Sequence, residues 1–149
     1  YNRYSNKRRY KQMVPHYTKV TPELILRPGD HLVQLGAFGV KDLMHHALYI
    51  GSGKVVHYYG NPYLDPSLFA KTSCEIRVDD INVLDNDTLF VQTDDGISPS
   101  ERRRKRAIAK ALSRLGEKNY NLITNNCEHL VHWALEGRSH SPQVDKLFY

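Results

Sequence analysis

Cysteine is scarce in this chain: two in 149 residues, Cys74 and Cys127, too few for a disulfide framework and a better match to a reducing compartment such as the cytoplasm. Long apolar runs are missing as well. No stretch approaches the ~18 to 20 continuous apolar residues of a membrane-spanning helix, and no apolar block at the start resembles a secretory signal, so the chain is expected to be soluble or to rest on a membrane surface. There is no Gly-rich phosphate loop, no paired CxxC and no Ser nucleophile elbow. What is present suits one domain with tails. Hydrophobic residues make up 40% of the chain and charged residues 25%, which leaves a modest core under a polar surface and excludes collagen, coiled coil and full disorder.

Acid is absent from one end and base from another stretch. Residues 1–20 carry six basic residues (Arg3, Lys7, Arg8, Arg9, Lys11, Lys19) and no acid, whereas residues 78–101 carry seven acids and no Lys or Arg. The net charge of +5 suits an anionic partner without choosing between RNA, phospholipid and acidic protein. In 1–20, Tyr alternates with basic residues and neither period 2 nor period 3.6 is visible. Such an arm could track a phosphate backbone while its rings stack on bases, or it could be a solvated tail. The chain starts at Tyr1 rather than Met, as after release from a longer precursor or at an expression boundary. The expected division is an arm over 1–20, a domain over 21–137 and a tail over 138–149.

From Pro22 the pattern turns to short strand-like runs: Asp30 to Leu35, His45 to Ile50, Lys54 to Tyr59, Glu75 to Val78 and Thr88 to Thr93. β-Branched and aromatic residues dominate HHALYI and KVVHYY, and Gly51-Ser52-Gly53 between them reads as a hairpin turn. Residues 60–73 read as a loop. A helix is expected from Ser98-Pro99-Ser100-Glu101, with Ser98 as cap, Pro99 at the first helical position and Glu101 completing a capping box. Its apolar stripe would be Ile108, Ala111, Leu112 and Leu115, and Gly116 would stop it. Arg102, Arg103, Arg104, Lys105 and Arg106 spread around its circumference, at the end where the helix dipole disfavours cations. A second helix is expected from about Asn126 to Glu136, with Gly137 behind it. One face would carry Cys127, Leu130, Val131, Ala134 and Leu135, and another Glu128, His132 and Glu136. The fold class is therefore α+β, an antiparallel sheet packed against helices.

A Cys in the first turn of a helix sits at the positive end of the backbone dipole, which favours the thiolate and can lower the pKa from ~8.5 into the range ~3.5–7.5. Such a thiolate calls for a base and an orienter, and His45, His46 and His57 lie on strands. His45 and His57 flank the expected turn with equal parity, so pairing could put both imidazoles on one face. His45 and His46 must face opposite ways, and only one of them can join His57 and Cys127.

Three local words add to this. H-H-A-L-Y-I-G at 45–51, V-V-H-Y at 55–58 and N-C-E-H-L-V at 126–131, with R-P-G-D at 27–30, resemble the lecithin retinol acyltransferase (LRAT)-like family, NlpC-like relatives of papain-type cysteine enzymes with a circularly permuted chain. More closely, an H-box paired with an Asn-Cys motif in a basic chain of this length resembles the picornavirus 2A H-box/NC proteins of the parechovirus type. The resemblance covers residues 27–137. It implies that Cys127 is a nucleophile forming an acyl-thioester, His45 the imidazole that activates it and His57 the third member. His46 stands where cellular members typically carry Trp, which alters the floor of any acyl pocket.

Other readings of the same residues stay open. The His residues could be satisfied core or edge-strand side chains, and Cys127 a small buried helix residue. Zinc bound by His45, His57 and Cys127 would need His129 or His132 as fourth ligand, but those point about 200° and 140° away from the Cys on a helix. No metal and no cofactor are expected. Two functions from different classes follow. One is a cysteine-dependent acyltransferase or acyl hydrolase, whose helix N-terminal amides would stabilise an oxyanion. The other is a catalytically silent module that binds viral RNA or host proteins through Arg8, Arg9 and Arg102, Arg103, Arg104, Lys105 and Arg106. Membrane lipids at the surface are a further expected partner, and the host cytoplasm the expected location.

Overall fold

In the computed structural model the described residues are 13–36, 43–60, 74–121, 125–139 and 141–144. Period-2 alternation and the turn between them make His45 and its neighbours a hairpin. Strand β3 (Met44–Gly51) meets β4 (Lys54–Tyr59) across a two-residue loop, Ser52-Gly53, in which both residues have positive φ (52° and 70°), as a type I′ turn requires. Around this hairpin stand β1 (Pro15–Lys19), β2 (His31–Leu35), β5 (Glu75–Asp80) and β6 (Leu89–Asp94), in one six-stranded antiparallel sheet of order β1-β6-β2-β3-β4-β5. Among the described residues, two helices longer than one turn, α1 (Glu101–Leu112) and α2 (Cys127–Glu136), follow it in the chain. Strands β2 to β6 and helix α2 match the expectation from sequence to within about two residues at their ends, whereas α1 ends at Leu112, three residues before the expected Leu115.

Alternation divides the core between two faces of the sheet. Leu48, Val56, Tyr58 and Ile76 pack with Ala107, Ala111, Cys127, Leu130 and Ala134 on the helix face. Leu32, Ala47, Val55, Leu84 and Leu89 form a second cluster on the other face. Every residue of the hairpin is thereby assigned a side.

Four local expectations are corrected. Residues 15–19 are not part of a structureless arm but edge strand β1, paired to β6. Nearly all of its residues are exposed, so no apolar alternation marks it, and ladder bonds hold it, with the adjoining Val14 N–H donating to Asp95 Oδ1 (2.8 Å). The stretch expected as a tail is packed in part, since Ser141 and Val144 are buried. The cap of α1 is Ser100, whose hydroxyl accepts from Arg103 N–H (3.2 Å), rather than Ser98. Glu101 is then the first helical residue, and its carboxylate meets Arg27 (3.2 Å) instead of closing a capping box. The buried side of α1 is Arg104, Ala107 and Ala111, while Leu112 and Leu115 are exposed. Small residues let the helix approach closely, and Arg104 is satisfied at depth by Asp30, Nη1 to Oδ1 at 2.7 Å.

Candidate active site

Strand β3 presents His45 on the side of Ala47 and His46 on the side of Leu48, as the pleat demands. On the Ala47 side, His45 Nε2 lies 2.8 Å from His57 Nδ1. His57 Nε2 lies 2.7 Å from Asp79 Oδ2, and Arg77 donates to the other oxygen of Asp79 at 2.7 Å. The β4–β5 register pairs Val55 with Asp79 and His57 with Arg77, which makes Asp79 a diagonal neighbour of His57. A cavity of about 200 Å³ lies beside the pair, lined by Gln34, His45, His57, Tyr59, Val83 and Leu84.

Cys127 is the first residue of α2. Asn126 caps the helix, its side chain accepting from His129 N–H (3.0 Å) while His129 Nδ1 accepts from Asn126 N–H (3.1 Å). The Cys127 thiol belongs to the helix-face core, and its Sγ accepts from the backbone N–H of His46 at 3.5 Å. Tyr49 donates to Asp30 O and accepts from Gly29 N, so its backbone groups point to the β2 side; alternation turns the N–H of His46 toward β4. The paired register of β3 with β4 runs from Gly51 to Leu48, and beyond it the sulfur takes the position of a strand carbonyl.

The structure therefore brings His45 and His57 together and seats the Cys127 thiol against the peptide that joins His45 to His46. His46 itself is committed on the helix face. Its Nδ1 is 2.7 Å from His31 Nε2, and its Nε2 is 3.2 Å from Glu128 Oε2 and 3.1 Å from Gln143 Nε2. Glu128 also accepts from Ser141 Oγ and from Gln143 N–H (3.0 Å). Glu128 and His132, expected on a polar helix face, are buried in this network. Sequence reasoning named Glu128 only as a helix-face residue and did not single out Asp79.

Burial governs the electrostatics. It drives His45 down to about 3, with help from the neighbouring His57. His57 is also lowered by burial, against the pull of Asp79. Burial would raise Asp79, but Arg77 and His57 outweigh it and hold the carboxyl below its usual range. The Cys127 thiol is pushed up to about 12 by burial, and the His46 N–H offsets only part of that. The lowered thiol pKa expected from the helix terminus is thus reversed: desolvation at this depth exceeds the dipole. At neutral pH the site holds a thiol and neutral imidazoles.

Other expected site residues divide. Arg8 and Arg9 lie outside the described residues. Arg104 is buried against Asp30, which removes it from any anion-binding surface, and Arg103 donates through Nε to Leu135 O. Arg102, Lys105 and Arg106 are exposed. Among the described residues no three His, Cys, Asp or Glu side chains are grouped to hold a metal ion, and no helix is long and apolar enough to cross a membrane.

Comparison with known proteins gives this geometry a setting. The family model described as lecithin retinol acyltransferase matches residues 25–140, which contain both faces of the hairpin and the whole of α2. A curated protein, lecithin retinol acyltransferase of Rattus norvegicus, is 26% identical over 122 residues, covering 68% of this chain and 52% of the rat protein. The chain spans about half the length of that relative.

Proposed function

The chain belongs to the lecithin retinol acyltransferase family, and from that premise we propose that it is a cysteine-dependent acyltransferase or acyl hydrolase working through an acyl-thioester on Cys127. The observation that carries the reading is the thiol of a helix-initiating Cys seated on the His45–His46 peptide, beside the bonded pair His45 and His57. Both ring nitrogens of His46 are spent on His31 and on Glu128 with Gln143, so His46 has none to offer a thiol. His45 bonds His57 through Nε2, and in this reading its Nδ1 is the base.

In this reading Cys127 Sγ attacks the carbonyl carbon of an ester or thioester as its proton passes to His45 Nδ1. The tetrahedral intermediate expels the alcohol or thiol, which takes that proton, and the acyl group stays on sulfur. Water or an amine then attacks the thioester with His45 again taking the proton, and Sγ leaves and regains it. A resting neutral thiol couples proton transfer to attack rather than preceding it. The circularly permuted papain-like chain order, and the finer identity of a picornavirus 2A H-box/NC protein acting in the host cytoplasm, are part of this proposal. The His45-His46 box and the Asn126-Cys127 pair support them.

Intact-mass measurement after mixing with p-nitrophenyl butyrate tests the reading. A butyryl adduct on Cys127 that is lost in Cys127→Ala and slowed at least about 100-fold in His45→Ala is expected. Absence of any adduct on Cys127 overturns it.

A second reading rests on the exposed cations Arg102, Lys105 and Arg106 at the start of α1. They would hold viral RNA or an acidic host protein, with phosphate contacts giving a steep salt dependence for RNA. Changing the three to Gln should flatten that slope. RNA affinity indifferent to salt would remove this reading.

A further inference from the structure

The chain Arg77, Asp79, His57, His45 dictates where its protons sit. An ionised carboxylate only accepts, so the 2.7 Å contact of Asp79 Oδ2 with His57 Nε2 requires the hydrogen on that nitrogen. A neutral His57 then has a lone pair on Nδ1, and the 2.8 Å contact with His45 Nε2 requires the hydrogen on His45. A neutral His45 is left with its lone pair on Nδ1. Arg77 supports the starting condition: its guanidinium donates to Asp79 Oδ1 at 2.7 Å and stacks 4.6 Å from the ring centre of Tyr59, which lines the cavity.

We propose that Asp79 is a positioning residue that, acting through His57, fixes the tautomer of His45 and so decides which of its nitrogens is basic. The inference rests on the reading of His45 as the base for Cys127. Asp79 neither touches substrate nor gives up a proton. It orders two hydrogen bonds, and when His45 gains the thiol proton its charge is met by the lone pair of His57 Nδ1, which the carboxylate behind the ring makes a better acceptor. Burial of His57, whose side chain is fully buried, and of Asp79, about nine-tenths buried, strengthens both contacts relative to water.

An amide at position 79 can present either its oxygen or its NH2 to His57, and the donor orientation reverses every proton in the chain. His57 would then carry hydrogen on Nδ1, His45 would accept at Nε2, and Nδ1 of His45 would lose its lone pair. The corresponding carboxylate-to-amide change in a serine protease triad costs about 10⁴ in kcat through the wrong tautomer.

The test is ¹⁵N-histidine NMR of the full chain near neutral pH, with the rate of Cys127 acylation by p-nitrophenyl butyrate measured in parallel. In the wild type, hydrogen on Nε2 of both His45 and His57 is expected. In Asp79→Asn, hydrogen moves to Nδ1 of both rings and acylation falls at least about 100-fold, while Asp79→Glu returns to within about tenfold of wild type. Hydrogen on Nδ1 of His57 in the wild type overturns the proposal even if Asp79→Asn fails to fold. So do unchanged tautomers and rate in a folded Asp79→Asn. His45→Ala separates the two levels: if it leaves acylation of Cys127 unchanged, the reading of the site fails, whereas a rate that depends on His45 but not on Asp79 sinks this inference alone.

Discussion

The carboxylate of Glu128 lies 3.2 Å from Nε2 of His46, with both side chains buried, so the residue that follows the candidate nucleophile ties the first turn of α2 to the middle of the sheet. The same carboxylate accepts from Ser141 and Gln143 and thereby draws the segment after α2 onto the helix start. Removing it orphans several buried donors at once, each worth about 1–3 kcal/mol when left unsatisfied. Glu128→Leu is expected to lower unfolding stability by about 3 kcal/mol or more in urea titration, and Glu128→Gln by less, since the amide oxygen still accepts. Equal losses in the two variants would show that side-chain volume, not hydrogen bonding, decides this position.

The hairpin was legible from residue order because both of its signals are local: β-branched and aromatic residues along the strands, and Ser52-Gly53 at the turn. The pairing of His45 with His57 followed from parity about that turn. Asp79 was not legible, because its meeting with His57 depends on the register of β5 against β4 across 61–73, which lie outside the described residues. β1 was not legible because an edge strand exposed along its length carries no apolar period. For Cys127 the local rule and the packed environment point in opposite directions. A helix N-terminus lowers a thiol pKa only where water or charge can reach it, and burial among Leu48, Tyr58 and Leu130 is not written in the six letters NCEHLV.

Alkylation of Cys127 by iodoacetamide reads that environment directly. Thiolate is the reactive form, and with the thiol pushed up to about 12 its fraction rises with pH throughout the neutral and mildly alkaline range. In a Cys74→Ala background the rate is expected to climb between pH 7 and 10 without a plateau. A midpoint near pH 7 would show that the thiolate is stabilised far more than burial allows.

Four buried imidazoles also set the acid limit of the fold. His31, His45, His46 and His57 all have pKa values lowered by burial, below the ~6.5 of the unfolded chain. As pH falls below ~6.5 the unfolded chain binds protons that the native state does not, so stability is full above that pH and is lost on acidification. Each such group removes up to about 1.4 kcal/mol per pH unit. Asp94 works the other way: burial, with a hydrogen bond to Glu136, raises it to about 6, so the native state binds its proton first and offsets part of the loss. Urea midpoints between pH 7.5 and 5 should fall steeply, and a flat profile over that range would contradict neutral burial of these rings.

Arg104 and Asp30 explain the R-P-G-D word in physical terms. Asp30 accepts from Arg27 N–H at 2.7 Å through one oxygen and from Arg104 at 2.7 Å through the other, and the Arg104 stem lies directly over Gly29. A Cβ at Gly29 would stand 2.5 Å from Cβ of Arg104, and its φ of +93° is strained for any L side chain. Gly29→Ala is therefore expected to cost about 2 kcal/mol or more. Arg104→Met leaves a buried carboxylate uncompensated and should cost about 3–5 kcal/mol, whereas Arg102→Gln and Arg106→Gln, at exposed positions of the same helix, should stay within about 0.5 kcal/mol. Combining Arg104→Met with Asp30→Leu should recover only part of the loss, because the N–H of Arg27 then lacks its acceptor. If Arg104→Met were as mild as Arg102→Gln, the five consecutive cations would be equivalent after all, and the division between one structural and three solvent-facing residues would not hold.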